Sequence, residues 1–302
     1  MTYRSLMAGV GLGSAISLSA WFPAVAQPQI VLPRSRATEW LELETANGEV
    51  TFQPYQQAAQ PAQKGNRLTD IGDIVQTGDR SYAQLSFDRN IGSVLVWGNA
   101  ILRVDVLDVE ATGGRITHLS VPQGIAKLQV RRFNNPNSSL TVTTPAGIAG
   151  VRGTVFGVGV DPNGKTAVAT EEGAVAVSGV GETVQVDPEF YSLIQPGEPP
   201  LPPQPLAETD LDVELRRLAP ISGVGTTTPS VRLAARVHPI NLVYANGIPT
   251  SVDLEGNIEV EIPLDSDRRL TFTVLSPLGD ERTYELSVPN DGWDALPPEQ
   301  SE

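Results

Sequence analysis

Chemistry in this chain would have to come from a short roster of side chains, and their spacing argues against most reactions. The two histidines, His118 and His238, stand far apart, and neither belongs to an H-E-x-x-H or similar ligand pattern, so no zinc site is expected. The sequence has no G-x-S-x-G elbow, no P-loop and no strand–glycine–helix dinucleotide fingerprint. Gly147, Gly150 and Gly153 recur every third residue, the wrong spacing for a phosphate cradle, and they precede a strand-like run instead of a helix. Carboxylates abundant enough for a glycosidase-like pair are what any acidic β protein would carry. Two turns, Asp161-Pro162-Asn163-Gly164 and Asp253-Leu254-Glu255-Gly256-Asn257, have acidic spacing that suggests calcium. Both lack the 12-residue ligand set and read as ordinary turns. The expectation is a non-enzyme with no metal and no cofactor.

One ionic side chain stands out by its surroundings. Arg152 lies in Thr144-Pro145-Ala146-Gly147-Ile148-Ala149-Gly150-Val151-Arg152-Gly153-Thr154-Val155-Phe156, among residues that would otherwise build only a strand and a turn. A guanidinium placed there needs carboxylate or carbonyl partners to offset desolvation. It is either a structural fork tying turns together or a ligand-facing arginine, and Glu171 and Glu172 are candidate counter-charges.

The elements that must position this segment read as β-strands. Pro145 fixes its own φ and biases Thr144 toward extended backbone, so the strand Leu140 to Thr144 stops there. The glycine spacing suits tight turning or close backbone contact. Val155, Gly157 and Gly159 then alternate with Phe156, Val158 and Val160; Asp161 to Gly164 supplies turn chemistry, and Thr166 to Thr170 returns as a hairpin, followed by Ala174 to Val177. Upstream, Trp40 to Phe52 alternates around Ala46-Asn47-Gly48 and reads as a hairpin. Further strands are expected at Leu68 to Thr77, Ala83 to Phe87, Val94 to Val96, Leu102 to Val104, Gly124 to Val130, Glu182 to Val186 and Phe190 to Ile194. Composition agrees: 28 glycines and 25 prolines with only 2 methionines favour short strands joined by turns.

Taken in order, these pieces resemble the FecR domain. In that family a G-D segment ending in threonine, an A-x-L strand and an L-x-V strand precede an A-G-V-R-G-T element. Here Gly72, Asp73, Thr77, Ala83, Leu85 and Leu102 occupy the first places, and Pro145, Gly150, Val151, Arg152, Gly153 and Thr154 the signature. The resemblance covers residues 40–197. It implies an extracytoplasmic β-solenoid or roll, with a sandwich as the alternative, whose motif residues are structural and stand near a candidate interface. FecR-like regulators combine a cytoplasmic anti-sigma segment, a membrane helix and a periplasmic FecR domain. The first two are not expected here, so what the resemblance implies is a periplasmic interaction module.

The N-terminus directs the compartment. Arg4 gives a positive start, Leu6 to Phe22 is apolar but diluted by glycine and serine, and Ala24-Val25-Ala26 before Gln27 forms an A-x-A cleavage site. Residues 1–26 read as a secretory signal peptide, with no membrane span after cleavage. The expected location is periplasmic or secreted, in a bacterium. With no cysteine the mature protein has neither disulfides nor a lipid-modified cysteine, so burial alone must stabilise it. The net charge of −14 repels phosphates, which disfavours nucleic acid and anionic headgroups as partners.

After a linker at 27–39 and the FecR-like domain at 40–197, the run Glu198-Pro199-Pro200-Leu201-Pro202-Pro203-Gln204-Pro205 reads as a proline-rich linker extending to residue 230. It includes one short helix, Ala207 to Leu218, with Leu211, Leu215 and Leu218 on one face and Pro220 ending it. Residues 231–289 hold strand patterns at Val231 to Val237, Asn241 to Ala245, Asn257 to Ile262, Leu270 to Leu275 and Glu281 to Val288. They read economically as a small immunoglobulin-like sandwich resembling modules that follow other bacterial extracytoplasmic domains. Residues 290–302 form an acidic tail whose Trp293 either anchors a partner or packs back on the sandwich.

The functional expectation is therefore an all-β, non-catalytic exported protein that binds an envelope or outer-membrane protein through a sheet edge or groove. Alternatives are a periplasmic relay to a separate sigma/anti-sigma system and a cell-wall glycan binder using Trp40, Trp97 or Trp293.

Overall fold

The structure, a computed structural model, describes residues 39–88, 91–206, 211–221, 230–264 and 267–288, and every regular element in them is a strand. The expected signal peptide with its cleavage residues Ala24, Ala26 and Gln27, and the acidic tail with Trp293, lie outside the described residues.

Apolar alternation builds β1 (Leu41–Asn47) and β2 (Val50–Gln53), which bury Leu41 and Leu43, then Val50 and Phe52. They follow one another across Asn47-Gly48 but are not a hairpin, contrary to the sequence reading. With β3 (Gln60–Pro61), β4 (Arg67–Leu68), β5 (Ile74–Thr77) and β6 (Tyr82–Phe87) following, β1 pairs with β4 and β6, and β2 with β3 and β5. The turn is a corner between layers, and the two strands reach one core from opposite sides.

Two unusually long strands make both layers possible. β7 (Gly92–Val109) pairs with β6 through Ser93–Trp97 and with β5 through Ile101–Arg103. β8 (Arg115–Val130) gives Ile116–Ser120 to β9 (Ser139–Thr143). After β10 (Ile148–Val151), it gives Gly124–Gln129 to β11 (Val155–Val160). Register shifts between Trp97 and Val106 bend the pair. Gly124, at φ +78°, sits at that bend, and a Cβ there would strike the Cα of Ala100.

The remaining strands extend each layer: β12 (Thr166–Glu172), β13 (Val175–Gly179), β14 (Glu182–Val186), β15 (Phe190–Ile194) and β16 (Gln204–Pro205). One layer runs β1-β6-β7-β8-β11-β12-β15-β16, the other β2-β5-β7-β8-β9-β10-β13-β14. Of the ladders in this sheet only β8–β9 is parallel. A solenoid would stack its coils in parallel and a sandwich would keep two separate sheets; here the bent β7 and β8 run through both layers as one sheet, a roll. Its core holds Phe156, Val158 and Val160 of β11 against Leu85, Leu102, Leu119 and Leu128. The proline-rich segment follows its edge: Gln204 and Pro205 pair with Tyr191 and Phe190, and Leu201 N–H donates to Leu193 O at 2.8 Å.

The expected helix is corrected. Residues 207–210 are outside the description, but Glu214–Ile221 is a strand, β17, antiparallel to β18 (Ser230–Arg236). A register shift between Leu215 and Arg217 inserts an extra residue, giving the leucines helix-like spacing although Leu211 and Leu218 enter a sheet-built core. Pro220 does not end the element, because β17 is an edge strand where a missing N–H is tolerated. Next come β19 (Leu242–Ala245), β20 (Ile248–Thr250), β21 (Asn257–Pro263), β22 (Arg269–Leu275) and β23 (Glu281–Ser287). Sheets β17-β18-β21 and β20-β19-β22-β23 enclose one core that includes Val231, Leu233, Ile258, Phe272 and Val274.

Candidate functional site

The signature segment is a crossover between layers. Thr144 N–H donates to Gly147 O at 2.8 Å, and Gly147 N–H to Thr144 Oγ1 at 3.1 Å, closing a tight turn over Pro145. Ile148 to Val151, within the glycine-spaced run that suggested tight turning or close backbone contact, is β10, paired on both sides with β9 and β13. Ala149 and Val151 face the core, and Gly150 has no neighbour nearer its Cβ position than 3.8 Å. The chain then passes against residues 131–133. Phe133 N–H donates to Arg152 O at 3.1 Å, Val130 N–H to Thr154 O at 2.9 Å, and Gly153, at φ +135°, lies so close to Arg132 that a Cβ would strike its Cα. Thr154 is buried.

Arg152 itself is exposed, not enclosed by aliphatics, and its guanidinium donates to the carbonyl of Pro136. Glu171, a suggested counter-charge, instead pairs with Lys127 at 2.7 Å. The other half of the motif is a separate tie. Gly72 adopts φ +97° against the Tyr55 ring. The buried Asp73 carboxylate accepts N–H groups of Tyr55, Thr69 and Asp70 at 2.8, 2.8 and 2.9 Å. Buried Thr77 accepts Ala100 N–H through Oγ1 at 3.0 Å. These residues fasten β5 to the bend in β7.

The same signature opens onto a surface. Thr143 to Ile148 and Ser178 to Gly181 line an open groove of about 390 Å³ with no charged side chain in its lining. Ile148 is 45% exposed and Val180 65% exposed. Val180 also holds φ +47°, as the two-residue Val180-Gly181 loop between the paired Gly179 and Glu182 requires of a tight β-hairpin. Beside it β14 pairs only with β13, leaving one edge open.

A second construction joins the roll to the sandwich. Outward positions of β11 and β12 carry Gly157, Gly159, Ala167 and Ala169, and the backbone of Pro277 approaches Gly157 too closely for any Cβ. Trp97 and Ile125 pack with Leu242, Tyr244 and Leu275, and the buried Tyr244 hydroxyl donates to Gly98 O. Burial pushes the Tyr244 hydroxyl pKa up, with the charge of Asp79 adding to it.

The two acidic turns meet in this seam. Asp161 accepts N–H groups of Asn163 and Lys165 at 2.9 and 3.0 Å and of Val252 at 3.3 Å; burial raises its pKa. Lys165, buried at 4% exposure, donates from Nζ to Pro239 O at 2.6 Å. Burial lowers its pKa to about 8 against the opposing pull of Asp161 and Asp253. Among the described residues no cluster of three metal-ligating side chains forms; the Val252 N–H to Asp161 contact joins the two turn regions. His118 lies on β8, and His238 stands edge-on to Tyr191, so the histidines occupy different parts of the fold. Trp97 is buried in the seam, and Trp40 lies beneath the Arg67 guanidinium at 4.5 Å. Sequence reasoning missed Lys165 and the seam altogether. The available signal was the run of small residues at outward positions of two adjacent strands.

Residues 73–176, within the roll, match the FecR protein family model. No curated protein matches the sequence. Two crystal structures of a candidate anti-sigma factor from Parabacteroides distasonis align with it. One is 18% identical with TM-score 0.37 over 44% of this chain, the other 16% identical with TM-score 0.38 over 49%. The chain spans 59% and 68% of those proteins. A polysaccharide lyase aligns at 12% identity and TM-score 0.19 over 83% of this chain and 40% of its own.

Proposed function

Taking the chain as a FecR-domain protein, we propose that it is a non-catalytic, exported interaction module that binds an envelope protein. The observation that carries this reading is the uncharged groove bounded by the exposed side chains of Ile148 and Val180. An unpaired β14 edge beside an apolar groove suits an extended, apolar segment added by strand pairing. A lining without charge, in a chain of net charge −14, favours a neutral segment over a basic one. The C-terminal sandwich is built of sheets β17-β18-β21 and β20-β19-β22-β23; read as an immunoglobulin-like module, it braces the FecR domain. A relay to a separate sigma/anti-sigma system is the second reading, supported by the family match. The glycan reading gains no support from Trp40 or Trp97, whose rings are occupied.

The test places a photo-crosslinking residue at 148 or 180 in the cell-expressed protein, with a control at Glu255. One discrete envelope-protein adduct at 148 and 180, absent at 255 and lost when Ile148→Asp accompanies the probe at 180, is expected. Adducts equal at all three positions, or recovery of peptidoglycan alone, would overturn the proposal.

A further inference from the structure

Where the roll meets the sandwich, a cleft of about 360 Å³ is walled by Leu95 and Trp97 of β7 and by Tyr244 and Leu275 of the sandwich. We propose that this cleft binds a small organic cation with an apolar body, an arylalkylammonium being the simplest example. Its size falls at the lower end of small-molecule sites, and domain junctions are where such sites concentrate. The floor is apolar and drawn from both domains, so an occupant of this chemistry would touch both at once.

Charge at the mouth selects the ligand class. Asp79 and Glu281 both line the cleft, against a single cation, Arg80. Arg80 lies 3.4 Å from Asp79 with side chains 78% and 45% exposed, an arrangement of little net strength. Among the described residues Glu281 makes no ion pair. Tyr82, 39% exposed, lines the same opening and adds an aromatic face, which favours a cation further. The acidic chain as a whole raises the local concentration of cations and repels anions. Arg80 is thus an internal competitor for Asp79, a feature that a merely structural pair would not reveal in binding.

The test is isothermal titration of the full chain with phenethylammonium, its neutral counterpart phenethyl alcohol, and phenylacetate. Saturable binding of the ammonium at or below about 1 mM, with the alcohol weaker and the anion silent, is expected. Glu281→Gln should weaken it about threefold to fivefold, and Arg80→Ala should strengthen it by a similar factor, the range an exposed ion pair supplies. Gln84→Trp, a bulky change at an exposed lining position, should abolish binding, while Ile148→Asp should leave it unchanged and so separates this site from the groove. Equal binding of alcohol and ammonium, insensitivity to both charge variants, or no saturation would each overturn the proposal.

Discussion

Lys165 is the side chain whose removal tests the seam most directly. Its ammonium is buried between the two acidic turns and held by the Pro239 carbonyl at 2.6 Å. Its pKa falls from 10.5 to about 8 in the folded protein, with burial the first cause. Because the folded value lies below the unfolded one, the unfolded chain holds a proton that the folded chain has released between pH 8 and 10.5. Stability therefore rises with pH across that window. At about 1.4 kcal/mol for each factor of ten, keeping the charge buried costs about 3 kcal/mol at neutral pH, of which about 2 kcal/mol returns between pH 7 and pH 9.5. Lys165→Met removes the titrating group. Urea denaturation of both proteins over that range, subtracted to cancel shared titrations, should show the wild type gaining about 2 kcal/mol on the variant. A difference independent of pH would refute the reasoning, because it would mean that the ammonium is solvated in the folded protein.

Two further outcomes follow from close approaches of the backbone. Gly153→Ala forces a Cβ into Arg132 at φ +135° and should destabilise by about 2–4 kcal/mol, whereas Gly150→Ala, with 3.8 Å of clearance, should be neutral to about 0.5 kcal/mol stabilising; urea midpoints separate them. Gly157→Ala drives a Cβ into the Pro277 carbonyl and should cost about 2–4 kcal/mol, with a shift in the emission of seam-buried Trp97; an unchanged spectrum and stability would show that the seam is open in solution.

What the sequence made legible was set by alternation. The hairpin from Val155 to Thr170 was legible because Phe156, Val158 and Val160 alternate with Val155, Gly157 and Gly159, and strands of the C-terminal sandwich were legible in the same way. Pairing partners were less accessible. Alternation tells which face a strand buries, not which strand lies beside it, and β1 and β2 looked like a hairpin for that reason. A glycine misled as well: Gly124 opens a short strand in the sequence reading, whereas in the fold it bends β8 without ending it. A bulge hid β17 behind helical spacing. The contact from Lys165 to Pro239 joins residues 74 apart, and no local pattern announces it.

The signature's residue types make sense once its two ends are seen to belong to different layers. Before Arg152 the chain runs in β10, whose turn lines the groove; after Thr154 it runs in β11, whose glycines receive the sandwich. The three residues between must cross from one layer to the other against the 131–133 segment. Gly153 permits the approach, Thr154 closes inward, and Arg152 ties the crossing from outside by reaching Pro136. Groove and seam are thus consecutive along one short piece of chain. A partner that pulled β10 outward would load the crossover first, and the packing of Gly157 beneath Pro277 next. That order gives a covalent route from the groove to the sandwich through a corner held by the Phe133–Arg152 and Val130–Thr154 backbone hydrogen bonds and by the Arg152 guanidinium on the Pro136 carbonyl.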